Sequence, residues 1–196
     1  MTRACRVSGI LLLAAAGCVR PSPPPPRELP RTVAVLPTHN ETGGRLPVAG
    51  SSLLERYVFD TRPVTVPEVL ASEARLQLAS RGFAIVPADV VARATENRTP
   101  ASAEAAADIA KKAHLDAAAL FIDLRRWDPD PPTEPRVVIV NLVISLVDPS
   151  SGRTLWTNSW PTRPVRTVGE VTLGAADIAA ARTVIEAVLA PLFQAR

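Results

Sequence analysis

Apolar and polar positions alternate most clearly from Arg136 to Asp148. Val138, Val140, Leu142, Ile144 and Leu146 share one face, and Asn141 and Ser145 lie on the other. A period of two predicts a strand. Pro149-Ser150-Ser151-Gly152 reads as a tight turn, after which Arg153 to Trp160 returns as another strand. Upstream, Ala117 to Trp127 has the same character. Leu120, Ile122 and Leu124 face one side; Phe121, Asp123, Arg125 and Trp127 face the other. Asp128 to Pro135 joins these segments as a stiff polar loop. Thr32 to Pro37 and Phe83 to Pro87 are short apolar runs closed by proline, each fitting a buried strand.

Other stretches follow the helical period. Thr65-Val66-Pro67-Glu68 is a capping box with proline in the first turn. Leu70, Ala74 and Leu78, with neighbouring Val69 and Leu76, form an apolar stripe that runs to Ser80 and ends before Gly82. Ala88 to Thr95 predicts a short helix, and Ser51 to Phe59 another. Ser102 caps a helix through Lys112, with Glu104 near its start and Lys111 and Lys112 at its end, as the helix dipole favours. The last helix spans about Ala175 to Gln194, with Ile178, Val184, Ile185, Val188, Leu189 and Leu192 as its apolar positions. Thr38 to Gly44 reads as a loop of turn formers.

The order is β-α-β-α-α-β-β-β-α. It predicts one α/β domain, residues 32–196, with a mixed sheet of about five strands and helices packed on it.

The first residues follow another pattern. Arg3 and Arg6 precede an uncharged, mainly apolar run from Val7 to Ala16. Spanning a bilayer takes roughly 20 apolar residues, so the run is too short for that. A basic start, a short apolar centre and small residues at a cleavage point describe a secretory signal. Ala15-Ala16-Gly17-Cys18 resembles the bacterial lipobox, with Ala15 where leucine is commonest. The resemblance implies cleavage between Gly17 and Cys18 and lipidation of Cys18, with residues 1–17 removed. Stable anchoring takes two acyl chains or more, which a mature lipoprotein carries. Cys5 leaves with the signal, so Cys18 has no intramolecular disulfide partner. Residue 19 is Val rather than Asp, which by analogy with enterobacterial sorting favours the outer membrane, facing the periplasm. Residues 18–31 then form a proline-rich tether; in polyproline II its 13 residues after Cys18 would reach roughly 40 Å.

Several segments of the domain resemble a known family in order. They are Val33-Ala34-Val35-Leu36-Pro37 followed by Asn40 and Thr42, then Leu78 to Pro87, then Leu115 to Trp127. Last comes Leu146-Val147-Asp148 with Gly152, Leu155 and Trp156. Behind a lipobox, this series resembles bacterial lipoproteins of the neisserial surface-antigen type. That family is similar to a wider group including the curli-secretion lipoprotein CsgG and the peptidoglycan-synthase activator LpoB. The resemblance implies a structural or accessory envelope role without catalysis: binding an envelope protein, or self-assembly. Activation of a peptidoglycan synthase is the alternative, and a lipoprotein enzyme a third. A channel is disfavoured, because strands 117–127 and 136–148 are too apolar on both faces for a barrel with a polar lumen.

Composition narrows the chemistry. Removing Arg3 and Arg6 takes the 22 basic residues to 20 against 19 acidic ones, a net +1. So little charge, scattered as single arginines, argues against nucleic-acid binding. Aromatics are 4% of the chain, so Ala, Val, Leu and Ile must build the core. No small-molecule substrate, cofactor or catalytic set is evident. The only histidines, His39 and His114, lack metal-ligand spacing. Asp128, Asp130 and Glu134 fit a solvated acidic loop better than a calcium site. Four residues are candidates for contact with a partner. His39 and Asn40 lie in the loop after the first strand, and Trp127 and Trp160 lie at strand ends. Core packing is the competing role for both tryptophans, and Trp156 belongs in the core beside its turn.

Overall fold

A computed structural model describes residues 29–48, 63–129, 136–170 and 172–194. The signal, Cys18, most of the tether, the helix expected at 51–59 and loop residues 130–135 lie outside the described residues. Within them are six strands: β1 (Thr32–Val35), β2 (His39–Asn40), β3 (Ala84–Ile85), β4 (Ala118–Pro129), β5 (Val137–Asp148) and β6 (Arg153–Arg166). Four helices accompany them: α1 (Val66–Ser80), α2 (Ala88–Ala94), α3 (Ala103–Lys112) and α4 (Leu173–Gln194). The expected mixed sheet is present as an open sheet in the order β3-β1-β4-β5-β6. Strands β1 and β3 are parallel, as are β1 and β4, while β4-β5-β6 is an antiparallel meander.

Three details differ from the expected pattern. First, His39 and Asn40 are not simply loop: they pair in parallel with Asp123 and Leu124 as β2. Pro37 has no N–H to continue the β1 ladder, so the strand breaks there and resumes two residues later. Second, a β-bulge lies between Leu124 and Arg126, with Arg125 as the extra residue. The bulge moves Trp127 from the face of Phe121 and Asp123 to that of Leu120, Ile122 and Leu124. Third, β6 continues past Trp160 through Pro161 and Pro164. Proline is tolerated there because β6 is an edge strand, whose outer N–H groups need no partner within the sheet.

Helices α1 and α4 pack together on one sheet face. The core between them and the sheet joins Leu70, Ala74 and Leu78 to Ile144, Leu146, Ile185 and Leu189, among others. On α4 the buried set Asp177, Ala180, Ala181, Val184, Ile185, Val188, Leu189 and Leu192 keeps the three-four spacing of a single stripe. Ile178 falls off that stripe and is exposed, as is Leu76 on α1, contrary to their expected core roles. Each fully buried Leu or Ile contributes about 1.5–3 kcal/mol. A smaller cluster on the opposite face joins Leu36, Phe121 and Val147 to Val91 of α2 and Ala106, Ala107 and Ala110 of α3. Alanine on α3 lets that short helix lie close to the strands. Among the described residues, no helix is long and apolar enough to cross a membrane.

Candidate functional site

Beyond Phe121 the second sheet face turns polar. Residues directly opposed on neighbouring strands present their side chains to the same face. The His39–Asp123 register therefore sets imidazole against carboxylate, with His39 Nδ1 at 3.0 Å from Asp123 Oδ1. Glu41, two residues after His39, returns to that face, with Oε1 at 3.9 Å from Nδ1. Arg125 Nε donates to the other oxygen of Asp123 at 2.8 Å. The His39 ring stacks near Phe121, with centroids 6.4 Å apart. Asp123 is thus buried with each carboxylate oxygen engaged, one by an imidazole and one by a guanidinium. That pairing offsets the desolvation that an isolated buried carboxylate would suffer.

The donor atoms of His39, Glu41 and Asp123 lie within 4.8 Å of one another. One imidazole and two carboxylates are a donor set that zinc or a similar ion accepts. An ion here would have to displace the His39–Asp123 hydrogen bond. Among the described residues, no hydroxyl or thiol hydrogen-bonds His39. The arrangement ties β2 to β4 and presents a charged, part-exposed edge at Glu41 and Arg125.

The sequence-predicted contact residues separate here. His39 is half-buried in this cluster. Asn40 closes the adjacent turn: its Oδ1 accepts from Thr42 N at 3.0 Å and Thr42 Oγ1 at 2.8 Å, while its Nδ2 donates to Gly44 O at 2.7 Å. Trp127 is not a surface anchor. It is 3% exposed and its Nε1 donates to Asp177 Oδ1 at 2.9 Å. Trp160 is also buried, with the Arg163 guanidinium 3.5 Å above its ring. The bulge turned the first inward, and its position opposite Leu142 turned the second. Trp156 is partly buried against the core, as expected. His114, exposed past the end of α3, has a positive φ of 52° and takes no part in the cluster. Asp123, Glu41 and Arg125 were not singled out from sequence. The i, i+2 pairs His39/Glu41 and Asp123/Arg125 would have indicated them had 38–44 been read as extended.

Comparison with family models and with curated proteins gives no match. Among solved structures, the chain is similar to the lipoprotein GNA1162 from Neisseria meningitidis. The two share 19% identity over 83% of this chain and 96% of that one, with a TM-score of 0.50. It is also similar to the PelC dodecamer from Paraburkholderia phytofirmans, at 20% identity over 85% of this chain and 89% of that one, with a TM-score of 0.49. At such identities the likeness to GNA1162 shows a shared fold.

Proposed function

We propose that this chain is a bacterial envelope lipoprotein, held through lipidated Cys18, whose α/β domain is a non-catalytic module. The module binds another envelope protein or further copies of itself, and the outer membrane, facing the periplasm, is its place. The observation that carries the reading is the N-terminal pattern: Arg3 and Arg6, the apolar run to Ala16, and Gly17-Cys18 before a proline-rich tether. Two further points support it. The domain shares its fold with a protein described as a lipoprotein. The titratable cluster around His39 is committed to internal hydrogen bonds that tie β2 to β4, a structural use of those side chains.

The test is expression of the full precursor beside Cys18→Ser, read by intact mass and by membrane fractionation. Wild type should lose residues 1–17, gain acyl mass and enter the membrane fraction, and the variant should do neither. Soluble wild type with an unmodified Cys18 refutes the anchor. Sedimentation of the lipidated protein in mild detergent then separates a self-assembling module from one that awaits a different partner.

A further inference from the structure

Three side chains of metal-ligand type converge on the polar sheet face, and backbone pairing brings each of them there. His39 stands opposite Asp123 in the β2–β4 register. Glu41 lies two residues further on, and its N–H donates to Leu124 O at 2.8 Å, which continues the ladder past Asn40. The bonds of Asn40 to Thr42 and Gly44 fix the chain directly after it. The His39 ring lies near Phe121. Arg125 Nε holds Asp123 Oδ2 at 2.8 Å, which leaves Oδ1 toward His39. Outer hydrogen bonds of this kind orient the ligands of metal sites.

The distances fit an ion between the three. Ligands of a tetrahedral zinc lie about 2.0–2.2 Å from it and so roughly 3.4 Å from one another. His39 Nδ1 stands 3.0 Å from Asp123 Oδ1 and 3.9 Å from Glu41 Oε1, one below and one above that edge. The Glu41 approach is too long for a hydrogen bond, and among the described residues its carboxylate makes none. Glu41 is 48% exposed, so a change of rotamer can close its arm on an ion. With His39 neutral, Glu41, Asp123 and Arg125 sum to one negative charge, which attracts a cation. One imidazole nitrogen and only two carboxylates favour zinc over calcium, which takes about six to eight oxygens.

We infer that His39 Nδ1, Asp123 Oδ1 and Glu41 Oε1 bind one zinc ion, with water in the fourth position. The ion takes the Nδ1 lone pair, and the neutral ring then carries its proton on Nε2. The His39–Asp123 hydrogen bond is replaced by two coordinate bonds that still tie β2 to β4. The inference goes beyond the proposed function and does not rest on the lipid anchor.

The test uses the full-length chain without a histidine tag, in mild detergent, stripped with a chelator and titrated calorimetrically with zinc chloride. One equivalent should bind, and zinc at about 100 times its Kd should raise Tm by roughly 5 °C or more. The imidazole resonances of His39 should shift while those of His114, the only other histidine, stay in place. His39→Ala should abolish this binding, and Glu41→Gln should weaken it about tenfold or more. Glu41→Gln removes no hydrogen bond, so it keeps the test valid if His39→Ala fails to fold. Cys18 is present in every variant, so zinc held by a thiolate would survive both substitutions. No saturation up to about 1 mM zinc overturns the inference. Binding unchanged by Glu41→Gln, or lost in His114→Ala, also overturns it, as does equally tight binding of calcium.

Discussion

Trp127 Nε1 donates to Asp177 Oδ1 at 2.9 Å across 50 residues, joining the end of β4 to the first turns of α4 inside the core. Both residues are 3% exposed. Burial raises the Asp177 carboxyl above its ordinary range, and the Trp127 hydrogen bond opposes that shift without cancelling it. The folded chain therefore keeps a proton where the unfolded chain has lost it. The window opens near the unfolded value of about 3.9 and closes at the raised folded value. Through it the carboxyl's contribution to stability falls as pH rises, and above it the penalty is constant.

Asp177→Asn removes that window while its amide oxygen still accepts from Trp127. Urea unfolding should show the variant gaining on wild type between about pH 3.5 and pH 7. A difference that does not change with pH would mean that the carboxylate is not desolvated. Trp127→Phe should act in the opposite sense, costing about 2–3 kcal/mol at neutral pH, because Asp177 loses its donor and some packing is lost.

The bulge at Arg125 lies two residues before that contact. Deleting Arg125 removes only the extra residue: Leu124, Arg126 and Trp127 then alternate regularly opposite Leu142, Asn141 and Val140, and Trp127 keeps the core face and its reach to Asp177. The deletion should preserve cooperative unfolding and the Trp127–Asp177 bond. Arg125→Ala keeps the register and loses only a part-exposed ion pair with Asp123, costing about 1 kcal/mol or less. Thermal melts of the two variants check this; loss of a cooperative melt in the deletion alone would show that the strand beyond Leu124 depends on the extra residue.

Much of this fold was legible where local chemistry and tertiary packing agree. β5 shows its alternation because one face meets the core of α1 and α4 and the other carries Asn141 and Ser145. The start of α1 was visible because Thr65 N donates to Glu68 Oε2 at 2.8 Å, a bond made within four residues. The misses share a non-local cause. β2 has two residues amid turn formers, and its reason to be extended is Asp123, 84 residues away. Period-two reading carried through Arg125 put Trp127 on the wrong face. The strand expected to end at Trp160 runs on through Pro161 and Pro164 because β6 is an edge, which nothing local reveals. The His39 cluster shares that limit, because register rather than spacing assembles it.

Pro161 and Pro164 should also limit self-association through that edge. Restoring N–H groups on the long β6 edge gives a neighbouring chain a continuous ladder to pair with. The double variant Pro161→Val/Pro164→Val should form larger species than wild type at equal concentration in light scattering. Unchanged size would show that β6 is already shielded by other means.

Asp148 offers the reverse of Asp177. It closes the β5–β6 turn by accepting from Ser151 Oγ at 2.6 Å, Ser150 Oγ at 2.7 Å and Ser150 N at 2.9 Å. Those bonds to Ser151 and Ser150 favour the ionised form and hold the carboxyl below its ordinary value. Here the unfolded chain binds the extra proton. The contribution is complete above the unfolded value of about 3.9 and is lost as pH falls through the depressed folded value. Asp148→Ala should therefore be less stable than wild type at neutral pH, and the gap should close in acid. Asp177→Asn should also approach wild type in acid, but from the more stable side. Urea midpoints of both variants against wild type over one pH series test the pair together. Gaps of the same sign would contradict the assignment of one aspartate to a desolvated core and the other to a hydrogen-bonded turn.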